Sequence, residues 1–295
     1  MYNIVSIIVT YNGEKWIKKC LDSLLASSIL TDIYIIDNNS TDNTLNIIKS
    51  YPNVSVIKSD CNLGFGKANN FLLKKLYKEK KYSYYFLINQ DAWVDKSCLQ
   101  LLVEFSVKNP TYGIVSPIHY TNNFSVIDFN FKEYLAKSRE ISDEIYETDF
   151  VNAAFWLISK DCIEKVGLFN PYFIHYGEDK NYCNRVVYYG KKIGILKNAK
   201  ANHDRQKTTD FKKIQKLSMI KLDSIFLNPN NNLWKAYARA LINVWGIPKY
   251  YSKTLSIKNS ILLFNTLIGH YIKLLFSEKI RVNRKEQIEN VFSIN

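Results

Sequence analysis

Ile4-Val5-Ser6-Ile7-Ile8-Val9-Thr10-Tyr11-Asn12 is the stretch on which the reading of this chain turns. Its first six residues are β-branched and apolar except for Ser6, the character of a strand buried on both faces in a parallel sheet. Glu14 to Leu25 follows, with Trp16, Ile17, Cys20, Leu21 and Leu24 at helical spacing. A buried strand feeding directly into an amphipathic helix opens a right-handed βαβ unit. The pattern then repeats. Strands are predicted at Ile33–Ile36, Val54–Ile57 and Tyr84–Ile88. Helices are predicted at Asp42–Lys49, Gly66–Tyr77 and Ser97–Val107. The fold class is therefore α/β, a doubly wound and mostly parallel sheet.

Beyond residue 110 the rhythm breaks. Ile114–Ile118 and Phe124–Phe131 read as strands, and polar Lys132–Asp149 as a loop. Phe150–Ser159 is strand-like, Lys160–Val166 a short helix, Glu178–Tyr189 a helix, and Lys192–Leu196 a strand. From about residue 211 the chain becomes helical, basic and aromatic, which divides it into an α/β portion, 1–210, and a C-terminal helical extension, 211–295. Asn228-Pro229-Asn230-Asn231-Asn232 is the best turn or linker.

Composition excludes several classes. At 295 residues the chain can bury a sizeable core. Its 47% hydrophobic and 14% aromatic content excludes an intrinsically disordered protein. Ten Gly and six Pro exclude a collagen-like chain. Cys20, Cys61, Cys98, Cys162 and Cys183 form no C-x-x-C pair and no zinc spacing, and the odd count fits a reduced compartment. The N-terminal apolar run lacks a basic leader and a small-residue cleavage site, so it is not read as a signal peptide. The longest apolar candidate, Ile261–Phe276, is interrupted by Asn265, His270 and Lys273, which points to a soluble or surface-bound protein. The net charge of +13 is uneven: residues 211–295 hold 14 Lys+Arg against 4 Asp+Glu, while residues 1–210 are nearly balanced.

Ligands of open α/β sheets bind beyond the carboxyl ends of the strands. Thr10-Tyr11-Asn12 follows the first strand, and Asp37-Asn38-Asn39-Ser40-Thr41-Asp42 the second. Each segment alone reads more simply as turn and capping chemistry. Asn62-Leu63-Gly64-Phe65-Gly66-Lys67-Ala68-Asn69-Asn70 places two glycines at a helix start, where backbone can approach a ligand closely. It is neither a dinucleotide fingerprint nor a Walker A loop. Asn89-Gln90-Asp91 sets an acidic residue where a divalent cation could bridge a diphosphate. Tyr176-Gly177-Glu178-Asp179 begins a helix after an aromatic loop. Arg185 lies between one and two turns further on, and His203 follows the last strand.

In this order and spacing, the set resembles family 2 glycosyltransferases, inverting enzymes with the GT-A fold. The likeness spans roughly residues 3–205 and is strongest to the branch of bacterial rhamnosyltransferases that build surface polysaccharides such as capsule or O-antigen. That branch usually reads Asn-Pro-Asp where this chain has Asn89-Gln90-Asp91. The resemblance implies donor-binding roles for Thr10, Tyr11, Asn12, Asp37, Asn39, Ser40, Gly66, Asn69, Asn89, Gln90 and Asp91, with Asp37 on the nucleotide base. It implies Asp179 as the general base, Tyr176, Glu178 and Arg185 on the acceptor side, and Asp91 with His203 at Mg2+ or Mn2+. The first carboxylate of the family's D-x-D is Asn89 here, so Asp91 alone carries the metal charge of that motif.

The expected partners are a nucleotide-diphosphate sugar, with rhamnose as leading donor sugar, and a saccharide or lipid-linked acceptor. The expected location is cytoplasmic, with the inner face of the cell membrane as a docking place. Two rival functions keep the sheet: a non-catalytic nucleotide-sugar-binding subunit and a nucleotidyltransferase. The basic tail admits a packed helical subdomain or a face for an anionic membrane surface. It resembles no nucleic-acid-binding module, so nucleic acid is not an expected partner.

Overall fold

The computed structural model describes residues 3–204 and 210–294. The chain opens with β1 (Ile4–Thr10), α1 (Ile17–Leu25), β2 (Asp32–Asp37), α2 (Thr44–Lys49), β3 (Val54–Lys58), α3 (Gly64–Lys78), β4 (Tyr84–Asn89), β5 (Ala92–Val94) and α4 (Cys98–Lys108). It continues with β6 (Tyr112–Thr121), β7 (Val126–Ile127), α5 (Phe129–Ala136), β8 (Arg139–Glu140), β9 (Ile145–Glu147), β10 (Phe155–Ser159), α6 (Lys160–Val166), α7 (Glu178–Tyr188) and β11 (Lys192–His203). Four helices follow: α8 (Phe211–Phe226), α9 (Leu233–Tyr251), α10 (Ile257–Phe276) and α11 (Glu278–Ile288).

One sheet runs in the order β3-β2-β1-β4-β10-β6-β11-β9-β8. The first four strands are parallel, as the strand–helix alternation predicts. β10 is antiparallel to both β4 and β6, and β6 is parallel to β11. Two reversals cancel, so β1, β4, β6 and β11 all end at the same edge. Alternate residues of β1 explain its apolar run. Ile4 and Ile8 join Leu21 and Leu24 of α1 and Leu102 of α4 on one face. Val5 and Ile7 join Leu72 and Leu76 of α3 and Tyr182 of α7 on the other.

Three expectations for the middle of the chain are corrected. The strand predicted at 124–131 is only the two residues of β7, because Asp128 caps α5 by accepting from the Phe131 N–H at 2.9 Å. The loop expected at 132–149 holds the rest of α5 and the β8–β9 pair. The strand expected to stop at Leu196 continues to His203 after an irregularity in register between Leu196 and Lys200. The segment 205–209, beside the expected domain boundary at 210, lies outside the described residues.

Helices α8, α9 and α10 enclose a third apolar cluster that includes Leu222, Phe226, Val244, Leu263 and Leu267, and Phe173 enters it from the loop before α7. α11 then returns to the core. Asn283 Oδ1 accepts from the Asn170 amide, and Gln287 Oε1 from the Asn181 amide, both at 2.7 Å. Arg284 donates to the carbonyls of Phe226, Asn228 and Asn231, which turns the Asn228–Asn232 segment into a locked corner. Buried carbonyls left without a donor are costly. Arg284→Ala is expected to lower unfolding free energy by about 2–4 kcal/mol, measured by urea denaturation.

Candidate active site

The edge where β1, β2, β4 and β11 end carries a buried charge. Asp37 is fully enclosed, and its Oδ1 accepts from the hydroxyls of Thr10 at 2.8 Å and Ser40 at 2.5 Å. Its Oδ2 accepts from the Ser40 N–H at 2.8 Å. Asp37, expected to meet a nucleotide base, has both carboxylate oxygens engaged by the loop. Its carboxylate is turned into the loop, where it satisfies a tight turn and is satisfied by it. Thr10 and Ser40 are likewise buried and bonded to Asp37 rather than presented.

The surface above this charge is made of asparagines and a glutamine. Asn12 and Asn39 both adopt left-handed backbone, with φ of 47° and 64°, which asparagine tolerates better than most residues. Asn12 donates its N–H to Ser40 Oγ at 2.9 Å and accepts from the Thr41 N–H at 2.9 Å. Tyr11 between them is exposed. Gln90 accepts from the Tyr11 N–H at 2.9 Å and donates to the Tyr11 carbonyl at 3.0 Å. Its side chain therefore acts as one rung of a ladder between the β1 and β4 loops, a bond that a proline at this position could not make. Asn89 ends β4, with its N–H on the Ala154 carbonyl at 3.1 Å.

Behind this surface, α3 and α7 bring their first turns together. Gly66 lies where an added Cβ would stand 3.4 Å from Phe169 Cβ and 3.6 Å from Glu178 Cβ, so the glycine permits close helix approach. Asn69 is buried, and its amide donates back to the Phe65 carbonyl at 2.9 Å. Two asparagines given no role from sequence do the joining. Asn38 accepts from the Leu63 N–H and donates to the Gly64 carbonyl, both at 3.3 Å. Asn70 grips Phe169 through both its N–H and its carbonyl at 2.8 Å. Their only sequence signal is a polar amide beside an apolar helical or strand run.

The loop from Asn170 to Gly177 leads into α7. Gly177 has φ 90°, and a Cβ there would meet Ile220 of α8 and Phe173 at 2.7 Å, so α8 backs this loop. Tyr176, also left-handed at φ 72°, is exposed with the Lys216 ammonium 5.6 Å from its ring. Glu178 is buried, and its Oε2 has no hydrogen-bond partner among the described residues. Burial, and next the charge of Asp179, push its carboxyl up to about 7. Asp179 is half-buried, and its Oδ1 accepts from the Lys180 N–H at 2.7 Å.

Arg185, expected on the acceptor side, lies buried in the interior. Glu178, Tyr182 and Arg185 share the inner face of α7, and the guanidinium donates to the carbonyls of Val166 and Leu168. It is 1% exposed, its charge rests on the rings of Tyr182 and Phe292, and burial lowers its pKa to about 10.

His203 is brought to Asp91 by β5, a strand not foreseen from sequence. His203 pairs with Ala92, and the Asp204 N–H donates to the Asp91 carbonyl at 2.9 Å. His203 Nε2 lies 3.3 Å from Asp91 Oδ1. That is near the ~3 Å edge between neighbouring ligands of an octahedral cation held at about 2.1 Å. The pair therefore fits two ligands of a divalent metal. His203 Nδ1 is buried without a partner among the described residues, and the ring edge packs on Phe155. No group of three or more His, Cys, Asp or Glu that could hold a metal occurs among the described residues.

The family model of glycosyl transferase family 2 matches residues 6–167. The O-antigen chain rhamnosyltransferase WbaN of Salmonella anatum is 28% identical over 70% of this chain and 68% of its own length. The dTDP-rhamnosyl transferase RfbG of Shigella flexneri is 38% identical over 28% of this chain and 31% of its own. Among solved structures, residues 1–349 of S. aureus TarS in complex with UDP superpose with a TM-score of 0.63 at 15% identity, covering 99% of this chain and 90% of that one. The mannosyltransferase PcManGT of Pyrobaculum calidifontis, in complex with GDP-Man and Mn2+, superposes at 0.62 and 15%, covering 99% and 86%.

The raised carboxyl of Glu178 has a consequence for pH. Its ordinary value is 4.5 and its folded value about 7, so the folded protein holds the proton more tightly. The stability this gives is complete below about pH 4.5 and is lost as pH rises through 7. Glu178→Gln cannot lose it. Relative to wild type, the variant should gain on the order of 3 kcal/mol between pH 4.5 and 8, read from denaturation midpoints across that range.

Proposed function

The chain belongs to glycosyl transferase family 2, and on that premise we propose that it is an inverting transferase. It moves a sugar from a nucleoside diphosphate donor to the acceptor saccharide, free or lipid-linked, of a bacterial surface glycan. The observation that carries the reading is the Asp91–His203 pair, 3.3 Å apart where β4 and β11 end, in a chain that also sets two adjacent carboxylates, Glu178 and Asp179, in the first turn of α7. The two rhamnosyltransferase relatives support rhamnose as the donor sugar and a deoxythymidine diphosphate carrier. The reaction is placed in the cytoplasm, on the side where nucleotide sugars are available.

The chain's own residues divide the work. A sugar hydroxyl has a pKa far above 7 and attacks well only if its proton is taken during attack. Asp179 is the accessible carboxylate of the pair and is assigned as that base. Glu178 lies beneath it, half protonated near neutral pH, and so limits the negative charge packed into the first turn of α7. With one base and attack opposite the leaving diphosphate, the anomeric configuration inverts without a covalent intermediate. Asp91 and His203 would hold Mg2+ or Mn2+, which supplies charge neutralisation for the departing diphosphate. The Thr10–Asp37–Ser40 network holds the Tyr11–Asn12 and Asn39 backbone in place for the nucleotide. Tyr176, beside Lys216, borders the acceptor approach.

A panel of nucleotide sugars tested with and without metal, scored for donor binding and donor hydrolysis, tests the reading. Release of nucleoside diphosphate supports it; release of pyrophosphate would make the protein a nucleotidyltransferase, and binding without turnover a non-catalytic subunit. Asp179→Asn should lower kcat by about 10²-fold or more while donor Kd stays within about twofold; near-normal turnover would remove Asp179 as base. Asp91→Ala and His203→Ala should each weaken donor binding in the presence of metal and leave metal-free binding unchanged, as measured by calorimetry.

A further inference from the structure

Helices α9 and α10 pack side by side and bury one stripe each, Ala236, Ala240 and Val244 on α9 and Leu263, Leu267 and Leu274 on α10. Both also carry a second apolar stripe that none of the described residues covers. On α9, Trp234, Leu241 and Trp245 recur at helical spacing, with the two tryptophans 81% and 64% exposed. On α10, Ile257, Ile261, Ile272 and Phe276 do the same, with Ile257 81% and Phe276 78% exposed. The stripes meet where Trp245, Lys249, Ile257, Ile261 and Phe264 line a groove of about 370 Å³. The Trp245 and Phe264 rings stand 4.5 Å apart there.

The charge carried by these two helices has one sign. From Leu233 to Phe276 the chain carries Lys235, Arg239, Lys249, Lys253, Lys258 and Lys273, and no Asp or Glu. Soluble monomers rarely leave so large an apolar face open. A second copy would set one cationic face against another. A nucleic acid would use the lysines and leave Ile257, Ile261 and Phe276 in water. A lipid surface with anionic headgroups matches both features at once, because tryptophan and branched side chains enter the acyl boundary while lysines stay among the headgroups.

We propose that α9 and α10 lie in the plane of an anionic membrane and dock the enzyme on it. Among the described residues no single helix is long and apolar enough to cross a membrane. α10 reaches that measure only together with α11, across a 65° bend, and α11 is engaged on the core through Asn283, Arg284 and Gln287. The contact is therefore in-plane, and it is independent of the chemistry assigned to Asp179.

The test is flotation of the full chain with vesicles of phosphatidylcholine alone and of phosphatidylcholine with phosphatidylglycerol. Binding should require the anionic lipid and weaken with salt. Trp245→Ser/Ile261→Ser and, separately, Lys249→Glu/Lys253→Glu/Lys258→Glu should each lower partitioning by roughly tenfold or more, with thermal unfolding midpoints and donor hydrolysis unchanged. Brominated lipid should quench wild-type tryptophan fluorescence. Absence of flotation, or binding that survives in both variants, overturns the proposal. So does a solution dimer abolished by Trp245→Ser/Ile261→Ser in a protein that ignores vesicles, which would make the face a contact between copies.

Discussion

The carboxylate of Asp37 sits in the interior at the end of two parallel strands, and the architecture of the site edge follows from satisfying it. A buried charge persists only when its oxygens are fully hydrogen-bonded. Thr10 and Ser40 supply the bonds, which locks the end of β1 to the turn after β2. Ser40 then accepts from the Asn12 N–H, Asn12 from the Thr41 N–H, and Gln90 closes the far side on Tyr11. Loops from three strands become one hydrogen-bonded body. Such a body presents left-handed asparagines and backbone polar groups to a ligand without reorganising, the property a nucleotide site needs.

A second division of labour lies at the start of α7. Two adjacent carboxylates occupy one helical turn, one buried and one half-buried. Because burial keeps Glu178 near half protonation, its neighbour does not face a full like charge. The pair is held against α3 by the absence of a side chain at Gly66. Across the edge, Asp91 and His203 are joined by a three-residue strand rather than by proximity in sequence.

What could be read from residues alone was set by whether the determining contact was local. The strand–helix alternation from β1 to α4 is a local pattern of burial on both sheet faces, and apart from β5 its elements were legible with boundaries shifted by about one to three residues. Helix α6 matched from Lys160 to Val166. The failures were of another kind. Asp128 stops a strand and starts a helix through one side-chain bond inside an apolar run. β5 exists because β11 extends to meet it, and polar Lys197 and Asn198 hide that extension. Motif positions were readable, but the orientation of their side chains was not. Asp37 faces inward on Thr10 and Ser40, and Arg185 braces two carbonyls, because the direction of a side chain is set by its tertiary partners and not by residue type and spacing.

The return of α11 ties the start of α7 and the loop before it to a distant stretch of the chain. Asn170 and Asn283 are 113 residues apart, and Asn181 and Gln287 are 106 apart, yet both pairs are buried beside the turn that holds Glu178 and Asp179. Contacts between segments so far apart in sequence carry a larger loop-closure cost than local ones. The parallel sheet and its flanking helices rest mostly on nearer neighbours. The polar surroundings of α7 do not, because α11 reaches back past α8 to α10 to complete them. The setting of the carboxylate pair therefore depends on the most distant segment that touches its helix.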